Sequence, residues 1–515
     1  MSAAQNSKIC YITTPIYYVN DVPHIGHAYT TIAADVIARY QRLLGKEVFF
    51  LTGTDEHGLK IEKTATAKGM SAKDLVDDVV KRYIHLWQVL NISNDDFIRT
   101  SEERHYRAVH AFFDRVKAHG ADNIYLGHYE DWYCVPCETF WTEAQLEEGN
   151  CPECKRAAER VKEESYFFKM SAFQQRLLDY LDENENFVRP KGKLNEILGF
   201  LREDLRDLSI SRSSFSWGIP VPDDERHVIY VWFDALINYL TAAGFPDDME
   251  RFEKLWPADI HLIGKDILRF HAVYWPTFLF AADLPLPKKV FAHGWWTVEG
   301  EKMSKSLGNV VDPEVVVNEF GVDAFRYFLL REVPFGLDGD FSQTALKGRI
   351  NSELANDLGN LLSRTVSMVK KYRQQIIPAA DCESIHYKEF AALNEEIKQN
   401  VAAAIDDLAF HKMLAAAWRL VEKCNRFIDE QAPWALAKDE SKAAELDQVL
   451  YCVLESLRLL SLYLNPIMPE KTQQMAEQLG QKNPIEQSGP DIFTWGQLET
   501  GVEVTKGKSL FPRLD

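Results

Sequence analysis

A chain of 515 residues is too long for one hydrophobic core and predicts roughly three or four domains. Its composition, 46% hydrophobic and 26% charged, supports a packed interior throughout, and no run of about 18 apolar residues suggests a membrane helix. The formal net charge of −19 argues against a non-specific DNA binder, which carries a basic face, but leaves room for RNA recognition in a locally basic groove.

Residues Met1–Lys8 lack the charged-then-apolar pattern of a signal peptide, and a strand-like run starts at Ile9, so a cytoplasmic location is expected. Ile9–Val19 reads as a strand that ends in the turn Asn20-Asp21-Val22-Pro23. From about Gly26 to Leu44, the residues Ala28, Ile32, Val36, Ile37, Tyr40 and Leu44 recur at helical spacing. Gly45 stands where a helix C-cap belongs. Glu47–Leu51 predicts a second strand, which runs into Thr52–Gly58. Strand, helix, strand is a βαβ unit.

The pattern resumes at Val228–Phe233, a short strand or a helix entry. Ile260–Gly264 and Val290–Gly294 follow as buried-type strands with a helical stretch between them. A doubly wound parallel α/β sheet of Rossmann type is therefore expected, split by an insertion over about residues 116–229. After about residue 350, leucine, alanine and charged residues at helical spacing predict a helical bundle that runs to about residue 480. Pro378 and the polar run Ala379–Ser384 mark a helix–helix connection, and Lys506–Arg513 is a short extension.

Four of the eight cysteines, Cys10, Cys382, Cys424 and Cys452, are scattered singly and read as small buried hydrophobes. The others form Cys134-x2-Cys137, thirteen residues, then Cys151-x2-Cys154. That spacing suits tetrahedral Zn²⁺, in a structural role because four thiolates leave no open coordination position. The bland alternative is a pair of disulfides, which a cytosolic location disfavours.

Ligands of open α/β sheets sit beyond the carboxyl ends of the strands. Tyr17 and Tyr18, Asp55, Lys265-Asp266 and His293 fall at such ends in turn. In Pro23-His24-Ile25-Gly26-His27, the two imidazoles lie at a helix entry, where free N–H groups and the helix dipole attract anions. They would hold triphosphate oxygens, while Gly26 would let an adenine ring approach the backbone. Taken alone, two surface histidines beside a turn is the better reading. In Lys302-Met303-Ser304-Lys305-Ser306, the lysines would neutralise a pyrophosphate leaving group from a mobile loop. Its bland alternative is a solvated charge run. The two motifs in one chain make both bland readings untenable.

Together the motifs resemble the two signatures of class I aminoacyl-tRNA synthetases. The remaining matches, at Thr13–Tyr18, Gly53–Gly58, Tyr230–Ala235, Gly264–Ile267 and Asp429–Trp434, resemble the methionyl-tRNA synthetase family from end to end. The resemblance implies catalysis by His24, His27, Lys302 and Lys305, and ATP binding by His24, Gly26, His27, Asp266, His293, Gly294 and Lys305. It implies a methionine pocket of Ile16, Tyr18, Trp232, Ala235, Tyr239, Ile267 and His271, with Asp55 as the ammonium partner. Leu236 departs from the proline that some members carry there. It further implies anticodon reading by Asn360, Arg364 and Trp434, and a zinc knuckle in the insertion. Asn360 and Arg364 lie four residues apart, on one helix face.

The division expected on this basis is 1–115 and 230–295 for the halves of the catalytic domain and 116–229 for the insertion. Residues 296–356 would be a stem-contact region with the mobile lysine loop, and 357–515 the anticodon-binding domain. Mg²⁺ is expected with ATP, and the partners would be elongator and initiator methionine tRNAs, with no membrane. No C-terminal dimerising domain is visible, so a monomer is expected. The competing readings are a class I synthetase for another amino acid, a small-molecule nucleotidylyltransferase, and a non-catalytic tRNA-binding relative. The insertion is too short for the branched-chain enzymes, and the cysteine quartet is closed, unlike a metal at the amino-acid site of the cysteine enzyme.

Overall fold

A computed structural model describes every residue except 1–8, 20–22, 136, 138, 142, 153, 299 and 303–309. Its largest sheet has six strands in the order Asp96–Arg99, Val48–Asp55, Cys10–Tyr18, Ile260–Gly264, Val290–His293, Val188–Arg189. Cys10–Tyr18 pairs in parallel with Ile260–Gly264, which pairs in parallel with Val290–His293. The strand order therefore turns at Cys10–Tyr18, the kind of switch point beyond which ligands bind in open α/β sheets. Val290-Phe291-Ala292-His293 is buried at every position, as a sheet covered on both faces requires.

Three boundaries differ from the sequence expectation. The second strand runs to Asp55, because its polar residues are satisfied in place. Thr14 Oγ1 donates to Thr52 Oγ1 at 2.9 Å, and Thr54 Oγ1 donates to Glu56 Oε1 at 2.7 Å. Gly53 belongs to this strand because a Cβ there would stand 2.1 Å from the Ile98 carbonyl oxygen. The segment around Val228 is both things in succession: strand Asp224–Ile229, then helix Val231–Leu236. Finally, Val188–Arg189, inside the expected insertion, joins the edge of the main sheet in parallel with Val290–His293. Two residues are too few to give a periodic signal. The rest of the insertion builds an antiparallel sheet, in the order Thr139–Trp141, Ile124–Cys134, Glu159–Phe168, Leu208–Ser209.

The chain divides into two compact units. The first comprises Met1–Pro23, Phe49–Gln88 and Asn94–His293 and holds the main sheet, with a core that includes Leu51, Ile98, Phe112, Phe233, Ile263 and Phe278. The second comprises His24–Val48, Val89–Ser93 and Gly294–Asp515. The first helix, Ile25–Leu43, thus groups with the C-terminal part of the chain. Its Asp35 forms a fully buried ion pair with Arg326 at 2.6 Å.

Within the second unit the helix Ala443–Leu464 is buried on all sides from Gln448 onward, which makes it the centre of the bundle. The helices Asn360–Arg373, Ile385–Asp406, Phe410–Gln431 and Pro469–Gln478 pack on it. The connection expected at Ala379–Ser384 is present, and Ser384 caps the next helix by accepting from the Tyr387 amide. No helix among the described residues is long and apolar enough to cross a membrane.

Candidate active site

The first motif is a reciprocal cap. His24 is the N-cap of the first helix, and its Nδ1 accepts from the Gly26 amide at 3.1 Å. His27 Nδ1 accepts in turn from the His24 amide at 3.1 Å. This is a capping box built from imidazoles rather than from Ser and Glu. The rings stack, with centroids 3.9 Å apart. Because both Nδ1 atoms accept, each neutral ring carries its proton on Nε2. Burial, and then the neighbouring His24, push the His27 imidazolium well below the usual range, so His27 is a neutral donor at pH 7. Gly26 has a steric reason within the cap: a Cβ there would lie 2.9 Å from His24 Cε1.

Of the second motif, only Lys302 is described, by its backbone, in the strand Glu301–Lys302 opposite Thr297. Residues 303–309, and Lys305 with them, lie outside the described residues. His293 is buried at the end of its strand, and Asp266 is exposed just after the strand Ile260–Gly264. Gly294 faces the Leu337–Asp338 backbone so closely that a Cβ would meet the Leu337 carbonyl at 2.3 Å. Close packing therefore requires a glycine at this position.

The expected methionine residues all fall in the first unit. Ile16 and Tyr18 close the first strand, and the buried Asp55 closes its neighbour. Ile16, Tyr18, Trp232 and Ile267 are partly exposed at the border of the apolar core. Trp232 stacks flat on Phe270, with centroids 3.7 Å apart and planes at 4°. Tyr239 and His271 are buried, and the Tyr239 hydroxyl lies 2.8 Å from His271 Nε2. His271 Nδ1 faces the Ile267 carbonyl at 3.0 Å. A carbonyl only accepts, so Nδ1 carries the proton and Nε2 accepts from Tyr239. Burial pushes His271 down to about 4, which leaves it uncharged at neutral pH. His271 sits in a π-helical turn, Phe270–Tyr274, an irregularity common at functional sites and invisible to a 3.6-residue period. Behind it, the Tyr239 ring stacks on His261 at 4.1 Å, and Thr13 Oγ1 lies 2.7 Å from His261 Nδ1. The result is a wall of aromatic rings and an uncharged His271 held by its two ring-nitrogen partners.

Two fully buried carboxylates that no motif marked as a site stand next to these residues, Glu56 beside Asp55 and Asp234 beside Ala235. Glu56, fully buried, accepts two hydrogen bonds from Arg99 at 2.7 and 2.9 Å. Asp234, also fully buried, binds His57 and His105. Of these, only Asp234 stands inside an apolar run, Val231–Leu236, and carried a local signal.

The four cysteine sulfurs lie within 4.8 Å of one another, with Cys134–Cys154 at 3.5 Å and Cys137–Cys151 at 4.0 Å. Tetrahedral zinc with Zn–S of about 2.3 Å separates its sulfurs by about 3.8 Å, so the quartet fits the ion. The hydrogen bond with Cys137 lowers the Cys134 thiol below its usual range, the direction that suits a metal-binding thiolate. Trp141 packs against the cluster, with Trp132 beside it.

In the bundle, Asn360 opens its helix and is exposed, and Arg364 Nη2 donates to Asp429 at 2.9 Å. Trp434 is 44% exposed and so lies outside the apolar core of the bundle. It follows Ala432, whose φ of 43° turns the chain out of the long helix Phe410–Gln431.

Residues 10–161 and 156–366 match the family model for tRNA synthetases class I (M), and residues 378–515 match the anticodon binding domain of methionyl tRNA ligase. The methionine–tRNA ligase of Caldanaerobacter subterraneus subsp. tengcongensis is 51% identical, over 99% of this chain and 79% of its own. That of Rickettsia bellii is 47% identical, over 98% of this chain and 99% of its own. The Mycobacterium tuberculosis methionyl-tRNA synthetase, solved in complex with methionyl-adenylate, superposes with a TM-score of 0.94 at 43% identity, covering 98% of this chain and 100% of that one. Motifs, fold and relatives agree, and the chain belongs to the methionine–tRNA ligase family of class I tRNA synthetases.

Proposed function

We propose that His24, Gly26, His27, Asp266, His293, Gly294 and Lys305 hold ATP, and that Ile16, Tyr18, Asp55, Trp232, Ala235, Tyr239, Ile267 and His271 hold methionine. The activity is that of a methionine–tRNA ligase. In the first step a methionine carboxylate oxygen attacks the α-phosphorus of ATP in line. The bond to the β-phosphate oxygen breaks and pyrophosphate leaves. The carboxylate is already ionised at neutral pH, so no general base is needed. Catalysis is then alignment plus stabilisation of developing charge. His24 and His27 supply neutral Nε2–H donors at a helix N-terminus, and Lys302 and Lys305 supply cations. Mg²⁺ accompanies ATP and neutralises phosphate charge. In the second step the 2′-hydroxyl of the terminal tRNA adenosine attacks the adenylate carbonyl and AMP leaves.

Asn360, Arg364 and Trp434 read the anticodon of elongator and initiator methionine tRNAs, Trp434 by stacking an unpaired base. Cys134, Cys137, Cys151 and Cys154 hold a structural Zn²⁺ within the insertion at 116–229. The catalytic domain spans 1–115 and 230–295, residues 296–356 carry the lysine loop and meet the tRNA stem, and 357–515 meet the anticodon. The working form is a cytoplasmic monomer, which gel filtration at micromolar concentration tests.

The observation that supports this reading most is the imidazole capping box, which pre-orients two neutral donors at the mouth of a 19-residue helix. Single-turnover adenylate formation in Lys305→Ala tests the chemistry. Losing one such stabilising group lowers the rate by about two to three orders of magnitude. Methionine affinity should stay unchanged. An equal loss in both would refute the role given to Lys305.

A further inference from the structure

Asp234 lies in the six-residue helix Val231–Leu236 and is fully buried. Its Oδ2 is 2.6 Å from His57 Nδ1, and its Oδ1 is 2.7 Å from His105 Nε2. Both rings are engaged at their other nitrogens too. The Tyr106 hydroxyl lies 3.2 Å from His57 Nε2, and Thr241 Oγ1 lies 3.0 Å from His105 Nδ1. Burial opposes the carboxylate, but His57 and His105 outweigh it and hold Asp234 below the usual range. A buried carboxylate survives only with partners of this kind.

The placement of this node matters more than its strength. Trp232 stands two residues before Asp234 on the same helix, about 200° around it at 3.6 residues per turn. Asp234 therefore points into the core while Trp232 points away, onto Phe270. His57 stands two residues after Asp55, and the backbone between them is held on both sides. The Glu56 amide donates to Thr100 Oγ1 at 2.9 Å, and Trp217 Nε1 donates to the Glu56 carbonyl at 2.6 Å. A helix of six residues has no side-chain cap here and little intrinsic stability, so its orientation depends on its anchors.

We propose that Asp234, through His57 and His105, is a positioning residue of the amino-acid site. It fixes the strand end that carries Asp55 against the helix that carries Trp232, and so sets the distance between the ammonium partner and the side-chain wall. This inference rests on the assignment of Asp55 and Trp232 to methionine.

Steady-state pyrophosphate exchange on the full chain, varying methionine and ATP separately, tests it. Displacing a recognition group by a fraction of an ångström costs about tenfold to a hundredfold, so His57→Ala should raise the methionine KM by that factor. The ATP KM and kcat should stay within about threefold, a split that general destabilisation does not produce. An asparagine amide stands where Nδ1 stands, and a glutamine amide stands nearer Nε2. His57→Asn should therefore restore the methionine KM and His57→Gln should not. An unchanged methionine KM in His57→Ala, parallel rises in both KM values, or rescue by glutamine as good as by asparagine would each overturn the proposal. Should His57→Ala fail to fold, Tyr106→Phe removes only the hydroxyl at Nε2. It should raise the methionine KM by about threefold, one loosened hydrogen bond, and no change would overturn the proposal. Trp232→Ala separates the two levels. If it leaves the methionine KM unchanged, the pocket assignment falls and this proposal with it. If it raises that KM while His57→Ala does not, the positioning proposal alone falls.

Discussion

His271 keeps its proton on Nδ1 for the Ile267 carbonyl and offers Nε2 to the Tyr239 hydroxyl, leaving no place for a second proton. Its folded value of about 4 lies below the ordinary histidine value, so it contributes stability in full above about pH 6.5. That contribution is lost as pH falls toward 4. Between pH 7 and pH 5 the loss is about 2 kcal/mol. Urea unfolding at the two pH values should show a pH-dependent loss smaller by that amount in His271→Gln, and identical losses would contradict the assignment. Gly26 makes a second prediction at this scale. Its alanine variant puts a methyl group against the His24 ring and unseats the cap. The cost should be about 1 kcal/mol of stability, with slower adenylate formation, and an unchanged rate would detach the cap from the chemistry.

The first helix is anchored at Asp35, one residue of a dense buried node. Arg326 donates to Asp35 at 2.6 Å, to the Pro466 and Ile467 carbonyls at 2.8 Å each, and to Leu90 at 3.1 Å. Arg39 and Ser93 also bind Asp35, at 2.7 Å for the Arg39 Nε and the Ser93 amide. Burial pushes the Asp35 carboxyl up, but Arg39 and Arg326 prevail and hold it at about 2. Arg326→Met leaves that charge short of its partner, which costs about 3–5 kcal/mol in buried pairs. Denaturant unfolding should show it, with part regained in the Asp35→Asn, Arg326→Met double variant. A loss below about 1 kcal/mol would show that the node is not an anchor. The knuckle is the other element with a sharp expectation. Metal analysis should give about one zinc per chain, from four thiolates on one ion. Chelation should change the near-ultraviolet circular dichroism of Trp132 and Trp141, which pack on the cysteines. A metal-free chain with an unaltered spectrum would refute a structural ion.

At the scale of the whole molecule, the main strands were legible because a parallel sheet covered on both faces writes itself as short apolar runs, as at Ile260–Gly264 and Val290–His293. Gly45, just past the first helix with a φ of 77°, was legible as a single residue. What could not be read is what topology alone decides. His57 and Asp234 are 177 positions apart, and Asp35 and Arg326 are 291 apart. Nothing local marks either pair. The same holds for Val188–Arg189, too short for a pattern, and for the first helix, which groups with the C-terminal unit. The site residues were legible only through motifs. Trp232 and Ile267 taken singly are ordinary border residues of a core.

The account's chemistry turns on one amino acid. Amino-acid-dependent exchange of labelled pyrophosphate into ATP, run with the purified chain against all standard amino acids, measures activation without tRNA. Methionine should support exchange and the others should fall to background, with leucine, isoleucine and valine as the informative competitors. Equal exchange with any of these, or none with methionine, would contradict the reading of the pocket formed around Trp232, Tyr239 and His271.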